Sequence, residues 1–448
     1  MNHEPNIEAL AIVSACVLLW GLVSARLERW DVSAPIAFVL LGLAVTHGPT
    51  TLVHVNVHSS TIRSLAEVTL ALVLFSDASR VNVRALRADV ALPARLLGIG
   101  LPLTIGAGAG VAALLFGSSG LWLAAALGAI VAPTDAALGA TIMSDERVPS
   151  GVRRLLNVES GLNDGIATPF VNLFIAGAVS AEAVAGVHPT TAAVDLLGGA
   201  GIGIGIGLVG AALLTLARRH GWSAAGFRPI TVLALALFAY SASVVAGTNG
   251  FIAAFVAGMA FGTLDRAADH ADLRFTEETG SLLSLLVWFM FGAAMLGPGL
   301  ADVGWRDVVF ALLALTVVRM VPVAIALAGS GLDRVTVAFV GWFGPRGLAS
   351  VVFGLLAVDA LAPEQSKVVL GAVTLTVTLS VLLHGISASP LASRYGALAG
   401  RLHPQRPEHT GAAPISTRSL GGLPLSPHPS TTHRSTTHRS TTHRSTTE

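Results

Sequence analysis

Long apolar blocks alternate with short polar intervals from one end of this chain almost to the other. A helix that crosses a bilayer needs about 20 predominantly apolar residues. Thirteen blocks meet or approach that length, at 7–25, 33–47, 61–78, 92–116, 120–143, 152–179, 191–217, 229–247, 249–264, 277–297, 306–329, 335–358 and 367–388. The second and ninth are short. No basic residues precede the first block and no clear cleavage site follows it, so it reads as a span and not as a removed leader. The pattern predicts an all-α polytopic membrane protein of about 13 transmembrane helices.

The polar intervals give orientation. Alternate loops hold Arg26, Arg29, Arg80, Arg84, Arg87, Arg147, Arg153, Arg154, Arg218, Arg219, Arg228, Arg266, Arg274 and Arg334, with Arg95 nearby, whereas the opposite set holds only Arg63, Arg306 and Lys367. Loops rich in Lys and Arg stay in the cytoplasm. The N-terminus is therefore expected outside and the C-terminus inside, with residues 1–400 forming one membrane domain in the cell (inner) membrane.

Composition agrees with the pattern. Of 448 residues, 53% are hydrophobic and 12% charged, about half the charge of a typical soluble domain. Nucleic-acid-binding, secreted and ordinary cytosolic readings fall away. The single Cys16 leaves no disulfide framework or thiolate metal cage. Residues 401–448 differ, being rich in Pro, Ser, Thr, His and Arg and repeating Ser-Thr-Thr-His-Arg at 430–434, 435–439 and 440–444. Such a segment buries too little apolar surface to order itself and is expected to be a disordered cytoplasmic tail.

Ionisable residues inside a bilayer are costly, and each is a functional hypothesis. The fifth block carries Pro133, Thr134 and Asp135 near its middle. Proline frees backbone carbonyls, which are tolerable at that depth only where they line a cavity or lie buried in protein. Thr134 and Asp135 add oxygens suited to a partly dehydrated cation. In the sixth block Glu159, Ser160, Asn163 and Asp164 fall at about 0, 100, 40 and 140 degrees around the helix and share one face. Arg319 in the eleventh block and Arg346 in the twelfth supply counter-charge. Arginine keeps its proton at working pH, so both read as structural partners and not as proton carriers. Gly344, Pro345 and Gly347 should break the twelfth helix. Blocks five and twelve are seven apart and cross in opposite directions. Interrupted helices at matching positions of two inverted halves point to a transporter site.

Other signals carry less. Gly205–Gly210 formally matches GxGxxG but lies inside an apolar span, and Gly199, Gly203 and Gly207 at four-residue spacing read as close helix packing. His47, His54 and His58 read as solvated loop residues, Asp77 as a residue of the cytoplasmic rim, and His384 as a packed histidine. Glu67 is assigned no role.

APTDAALGATIM, then NVESGLNDG, then GPRGLAS late in the chain resemble the monovalent cation:proton antiporter family of sodium/proton exchangers, in its electroneutral bacterial and archaeal branch. LALVLFSDASR and LLHGISASPLA extend the likeness over residues 8–395. The resemblance implies a homodimer whose protomers carry a six-helix core, built from two inverted repeats, with two crossed, unwound helices. It implies that Asp164 binds cation and proton in turn, and that Thr134, Asp135, Glu159 and Ser160 line or support the ion site. Asp164 and Asp135 would be the ligands of the transported cation. Asn163 resembles the asparagine that marks the electroneutral branch, and Arg319 and Arg346 the arginines that brace the core. Ala136 departs from the proline many members carry after Thr-Asp, which bears on ligand geometry.

The function implied is secondary active exchange of a monovalent cation, Na+ foremost with Li+ and K+ as alternatives, for H+, one for one, in pH and sodium homeostasis. A K+/H+ exchanger or a cation channel on the same site is the competing reading. No cofactor and no enzymatic activity are expected. An intramembrane hydrolase would need HExxH or a serine beside a histidine base; HExxH does not occur, and Ser160 has carboxylates for sequence neighbours.

Overall fold

The computed structural model describes residues 7–28, 30, 32–47, 59–80, 91–182, 189–264, 270–402 and 406–409. All thirteen apolar blocks are helical. They are α1 (Ile7–Glu28), α2 (Ala34–His47), α3 (Ser60–Arg80) and α4 (Ala91–Arg95, a π turn Leu96–Gly100, then Leu101–Phe116), followed by α5 in two pieces, α5a (Leu121–Ile130) and α5b (Ala140–Ser144). Next come α6 (Ser150–Glu182), α7 (Pro189–Arg219), α8 (Arg228–Val245), α9 (Gly250–Leu264) and α10 (His270–Met290, a π turn Phe291–Met295, then Leu296–Ala301). The last are α11 (Trp305–Leu315 and Val317–Ala326), the broken α12 with pieces α12a (Arg334–Trp342) and α12b (Leu348–Ala360), and α13 (Pro363–Ala399). Eight of these are long and apolar enough to cross a bilayer, and α2, α5a, α9 and α12b are shorter apolar helices. Large side chains on one face of α1, including Leu10, Leu18, Leu19 and Leu22, are exposed. Arg29, Arg84, Arg87, Arg266, His54, His58 and the repeats after residue 409 lie outside the described residues.

The helices pack as two bodies. The first, the scaffold body, gathers α1–α3 and α7–α10 through backbone approach. Gly199, Gly203 and Gly207 of α7 lie against Asn249, Ala253 and Ala257 at and along α9, where an added Cβ would meet backbone at 2.5–2.6 Å. On α9's other face Gly258 and Gly262 press on the backbone of Phe75 and Ser79 in α3. The four-residue glycine spacing is thus a packing seam, as its sequence reading held.

The second body gathers α4–α6 and α11–α13 around the two broken helices. A Cβ on Gly108 of α4 would lie 2.9 Å from Gly128 Cα of α5a, so the two glycines set that crossing. Aromatic packing closes one end, where Phe339 of α12a stacks on Tyr395 of α13 with ring centroids 4.1 Å apart. Arg406–His409 also dock on this body, inside the stretch expected to be disordered. Glu408 is fully buried, its Oε1 accepting from Asp333 N at 2.7 Å and from the Thr336 hydroxyl at 3.0 Å. A helix start leaves unpaired N–H groups, and Glu408 accepts from one of them, that of Asp333.

Candidate ion-binding site

Pro133 ends α5a because it cannot donate to the preceding turn; Gly344, Pro345 and Gly347 do the same for α12. Each break leaves carbonyls that need donors in a place without bulk water. The two breaks supply one another. Ser350 Oγ donates to Ile130 O at 2.7 Å, and Arg346, fully buried, donates to Ala132 O at 3.2 Å, Gly344 O at 3.1 Å and Ala314 O at 3.3 Å. In return Asp135 N donates to Pro345 O at 2.8 Å. The Asp135 carboxylate accepts from Leu348 N at 2.8 Å through Oδ2, and from Ala137 N at 2.7 Å and Leu138 N at 3.3 Å through Oδ1. Asp135 thus sits on the N-terminus of α12b, where the helix dipole favours negative charge. Gly347 permits this, since a Cβ there would overlap the Asp135 carboxylate.

The α6 face meets this crossing. Ser160 Oγ lies 3.0 Å from Thr134 Oγ1, and Asn163 Nδ2 donates to the same Thr134 oxygen at 2.6 Å. Asp164 is 9% exposed and borders a narrow cleft with Ser160, Asp135, Asp77, Ser284, Trp288 and Leu348. The cleft holds about 10 Å³, room for roughly one water-sized body. Its lining comes from both bodies, α3 and α10 on one side and α5, α6 and α12 on the other.

The structure thus brings Thr134, Asp135, Ser160, Asn163 and Asp164 together. Glu159 stands apart from the cleft: Arg319 donates to both its oxygens, Nη1 to Oε1 at 2.5 Å and Nη2 to Oε2 at 2.9 Å, with both side chains buried. Its neighbour is the opened α12 backbone, because a Cβ on Gly344 would come within 2.9 Å of Arg319 Cζ. Arg346 serves carbonyls, not a carboxylate. Sequence reasoning placed Asp77 at the rim and passed over Ser284 and Trp288. The signal for these two was present, as Gly280, Ser284 and Trp288 follow at four-residue spacing along α10 and share a face. Asp77 is itself where α3 meets α6 at Gly161, since a Cβ on Gly161 would lie 3.9 Å from the Asp77 Cβ.

A second cavity, about 430 Å³, opens between the bodies at the other ends of α3 and α6 and is lined by Arg63, Glu67, Asn172, Tyr240, Asn249 and Leu356 among others. Arg63 spans the bodies here, pairing with Glu67 of its own helix at 2.8 Å and with Asp359 of α12b. Tyr240 donates to Glu67 Oε2 at 3.0 Å.

A family model described as "Sodium/hydrogen exchanger, transmembrane" matches residues 12–394. The K(+)/H(+) antiporter NhaP2 of Shewanella sp. (strain MR-4) is 26% identical over 392 residues, 85% of this chain and 65% of that protein. The K(+)/H(+) antiporter NhaP of Alkalimonas amylolytica is 25% identical over 390 residues, 86% of this chain and 66% of that one. The Na(+)/H(+) antiporter of Schizosaccharomyces pombe is 25% identical over 296 residues, 57% of this chain and 61% of that one. The chain spans just under two thirds of the length of these relatives. Among solved structures, the sodium proton antiporter MjNhaP1 from Methanocaldococcus jannaschii at pH 8 superposes with a TM-score of 0.69 at 19% identity, covering 88% of this chain and 99% of that one. At that identity the likeness establishes the fold: an all-α membrane architecture with crossed, unwound helices in a six-helix core.

Proposed function

The chain belongs to the transmembrane sodium/hydrogen exchanger family, and from that premise we propose that it exchanges a monovalent cation for H+ by alternating access at Asp164. The carrying observation is the cleft: a buried carboxylate, two further carboxylates and two hydroxyls around a space of about 10 Å³, at the seam of two bodies. A site of that size suits a cation stripped of most of its water, and oxygen donors replace the shell it loses.

Proton and cation compete for Asp164. Either one neutralises it, and an empty carboxylate crossing the apolar barrier is penalised, which couples the two fluxes. Asp135 supports the site from the N-terminus of α12b, while Glu159 and Arg319 cancel one another behind it. Asn163 adds an amide where a second acid would add charge, so one cation moves per proton. Na+ is the first candidate; K+ is the alternative, favoured by the K(+)/H(+) names of the Shewanella and Alkalimonas relatives. The reading includes an outward N-terminus, a cytoplasmic C-terminus and a pair of identical subunits.

The test is cation-triggered proton movement in proteoliposomes, wild type beside Asp164→Asn, with Na+, Li+ and K+ at several clamped voltages. Exchange lost to background in the variant, with the wild-type rate insensitive to voltage, is the expected result. A voltage-driven rate overturns the one-for-one stoichiometry. A variant with wild-type exchange overturns the site, and passive cation current without proton movement makes the protein a channel.

A further inference from the structure

The stretch of α12 that meets Asp135 has no helix of its own, yet it is held to a fixed register. Two side chains of α13 hold it. Ser380 Oγ accepts the Arg346 backbone N–H at 2.6 Å. One helical turn on, His384 Nε2 lies 2.8 Å from the carbonyl oxygen of Trp342, the last residue of α12a. The Trp342 ring stacks on the His384 ring at 5.1 Å and 28°, and Trp342 Nε1 donates to Ser387 Oγ at 3.0 Å. Ser380 and His384 are both buried.

The His384 ring faces a carbonyl at each nitrogen, with Trp342 O 2.8 Å from Nε2 and Ser380 O 2.8 Å from Nδ1. A carbonyl only accepts, so whichever nitrogen carries the proton donates to the carbonyl beside it; in the tautomer protonated at Nε2 that carbonyl is Trp342 O. The Ser380 hydroxyl stands 3.3 Å from Nδ1, and its oxygen accepts from Arg346 N. The pair of contacts from Ser380 and His384 thus reaches Arg346 N and Trp342 O. It clamps the opened backbone on both sides of Phe343–Pro345. Pro345 O and Leu348 N, the two backbone atoms that grip Asp135, lie within two residues of the clamped Arg346.

We propose that Ser380 and His384 are positioning residues for the cation site, acting through the unwound α12 backbone to set where Asp135 stands relative to Asp164. This rests on the exchange reading above. Neither side chain borders the cleft, so neither is a ligand. The role needs a donor to Trp342 O at position 384, which a carboxamide also offers, and a hydroxyl at 380. It does not need an imidazole as such.

The experiment compares His384→Leu and Ser380→Ala with the conservative His384→Gln and Ser380→Thr, all full-length in proteoliposomes. Apparent KM for the transported cation and maximal rate per folded protein are measured, together with the cation-dependent shift in unfolding temperature. His384→Leu and Ser380→Ala are expected to raise KM about tenfold, an effect of about 1.4 kcal/mol, with maximal rate within about twofold of wild type; His384→Gln and Ser380→Thr restore KM. If His384→Leu does not fold, Ser380→Ala with its threonine rescue carries the test. KM unchanged in Ser380→Ala, with rates falling only as folded protein falls, overturns the proposal. Should wild-type vesicles move no cation, the exchange reading fails, and the unfolding-temperature shift still decides whether these residues position a cation site.

Discussion

Along α9 the scaffold body is joined by what its residues lack, whereas the crossing of α5 and α12 is joined by what its residues carry. Gly258 and Gly262 let α9 lie on the α3 backbone, and nothing polar is needed at the contact. At the crossing, backbone groups left over from two broken helices are paired one by one, by Asp135, Arg346, Ser350 and Ser380. Close-packed backbone has one arrangement and tolerates no added atom. A set of directed hydrogen bonds is selective in another way, since losing one partner leaves the other buried and unmet. The cleft beside Asp164 lies where the two kinds of construction meet, with a wall from each.

The largest effect is expected from Gly258→Leu. The new side chain has no space against Phe75, and overpacking against unyielding backbone costs more than about 3 kcal/mol; size-exclusion chromatography in detergent should give no monodisperse peak. Gly205→Leu on α7 is the control, because nothing lies within 4 Å of a Cβ there, and it should behave as wild type. If both fold equally, close approach is not what holds the scaffold body.

Next comes Glu159→Ala, which strands the buried Arg319 guanidinium. Breaking one partner of a buried pair costs about 3–5 kcal/mol, read as a lower unfolding temperature. Removing both, as Glu159→Ala with Arg319→Met, should recover part of that loss. A double variant less stable than the single one would mean that Arg319 has a second task at Gly344.

Arg63→Gln tests the charged tie that spans the bodies. Arg63 is 52% exposed, and such pairs are worth at most about 1 kcal/mol, so stability should barely move. Because the tie joins α3 to α12b, its loss should appear as a changed exchange rate of less than about tenfold, the factor that 1.4 kcal/mol would give.

The smallest effect is expected at Asp145, in the turn between α5b and α6. The Arg147 hydrogen bond above all holds its carboxyl below the ordinary value of 3.8. A depressed value means the contribution is complete above pH 3.8 and fades as pH falls through the lower folded value. Asp145→Asn should therefore unfold slightly earlier than wild type at neutral pH, and the gap should close in acid. A gap that persists in acid would assign the effect to the turn and not to the charge.

The scaffold body was the more legible of the two in the sequence. Its blocks and its glycine spacing are patterns of composition, and composition is what hydropathy reads. The broken helices were legible as breaks, from Pro133 and from Gly344, Pro345 and Gly347, but not as partners. Which free carbonyl meets which donor depends on two segments more than 200 residues apart, as Arg346 and Ala132 are. The face carrying Ser160, Asn163 and Asp164 could be drawn on a helical wheel. That Glu159 would turn from it to Arg319 could not, because its angle alone places it on the same side. Helix ends were misread for a simple reason. Block thirteen stops at 388, where the apolar run stops, whereas α13 continues to Ala399 by packing Ala392 and Tyr395 into the second body.

Glu408 has a bearing on how the molecule could be watched. By accepting from Asp333 and Thr336, it makes His409 a fixture of the broken-helix body. A label placed at His409 therefore reports on the part that carries Asp164 and not on the scaffold. A donor dye placed there and an acceptor on α8 would register displacement between the bodies as a change in transfer efficiency, while two dyes within either body would stay silent. The short docked turn is a ready-made handle on the broken-helix body.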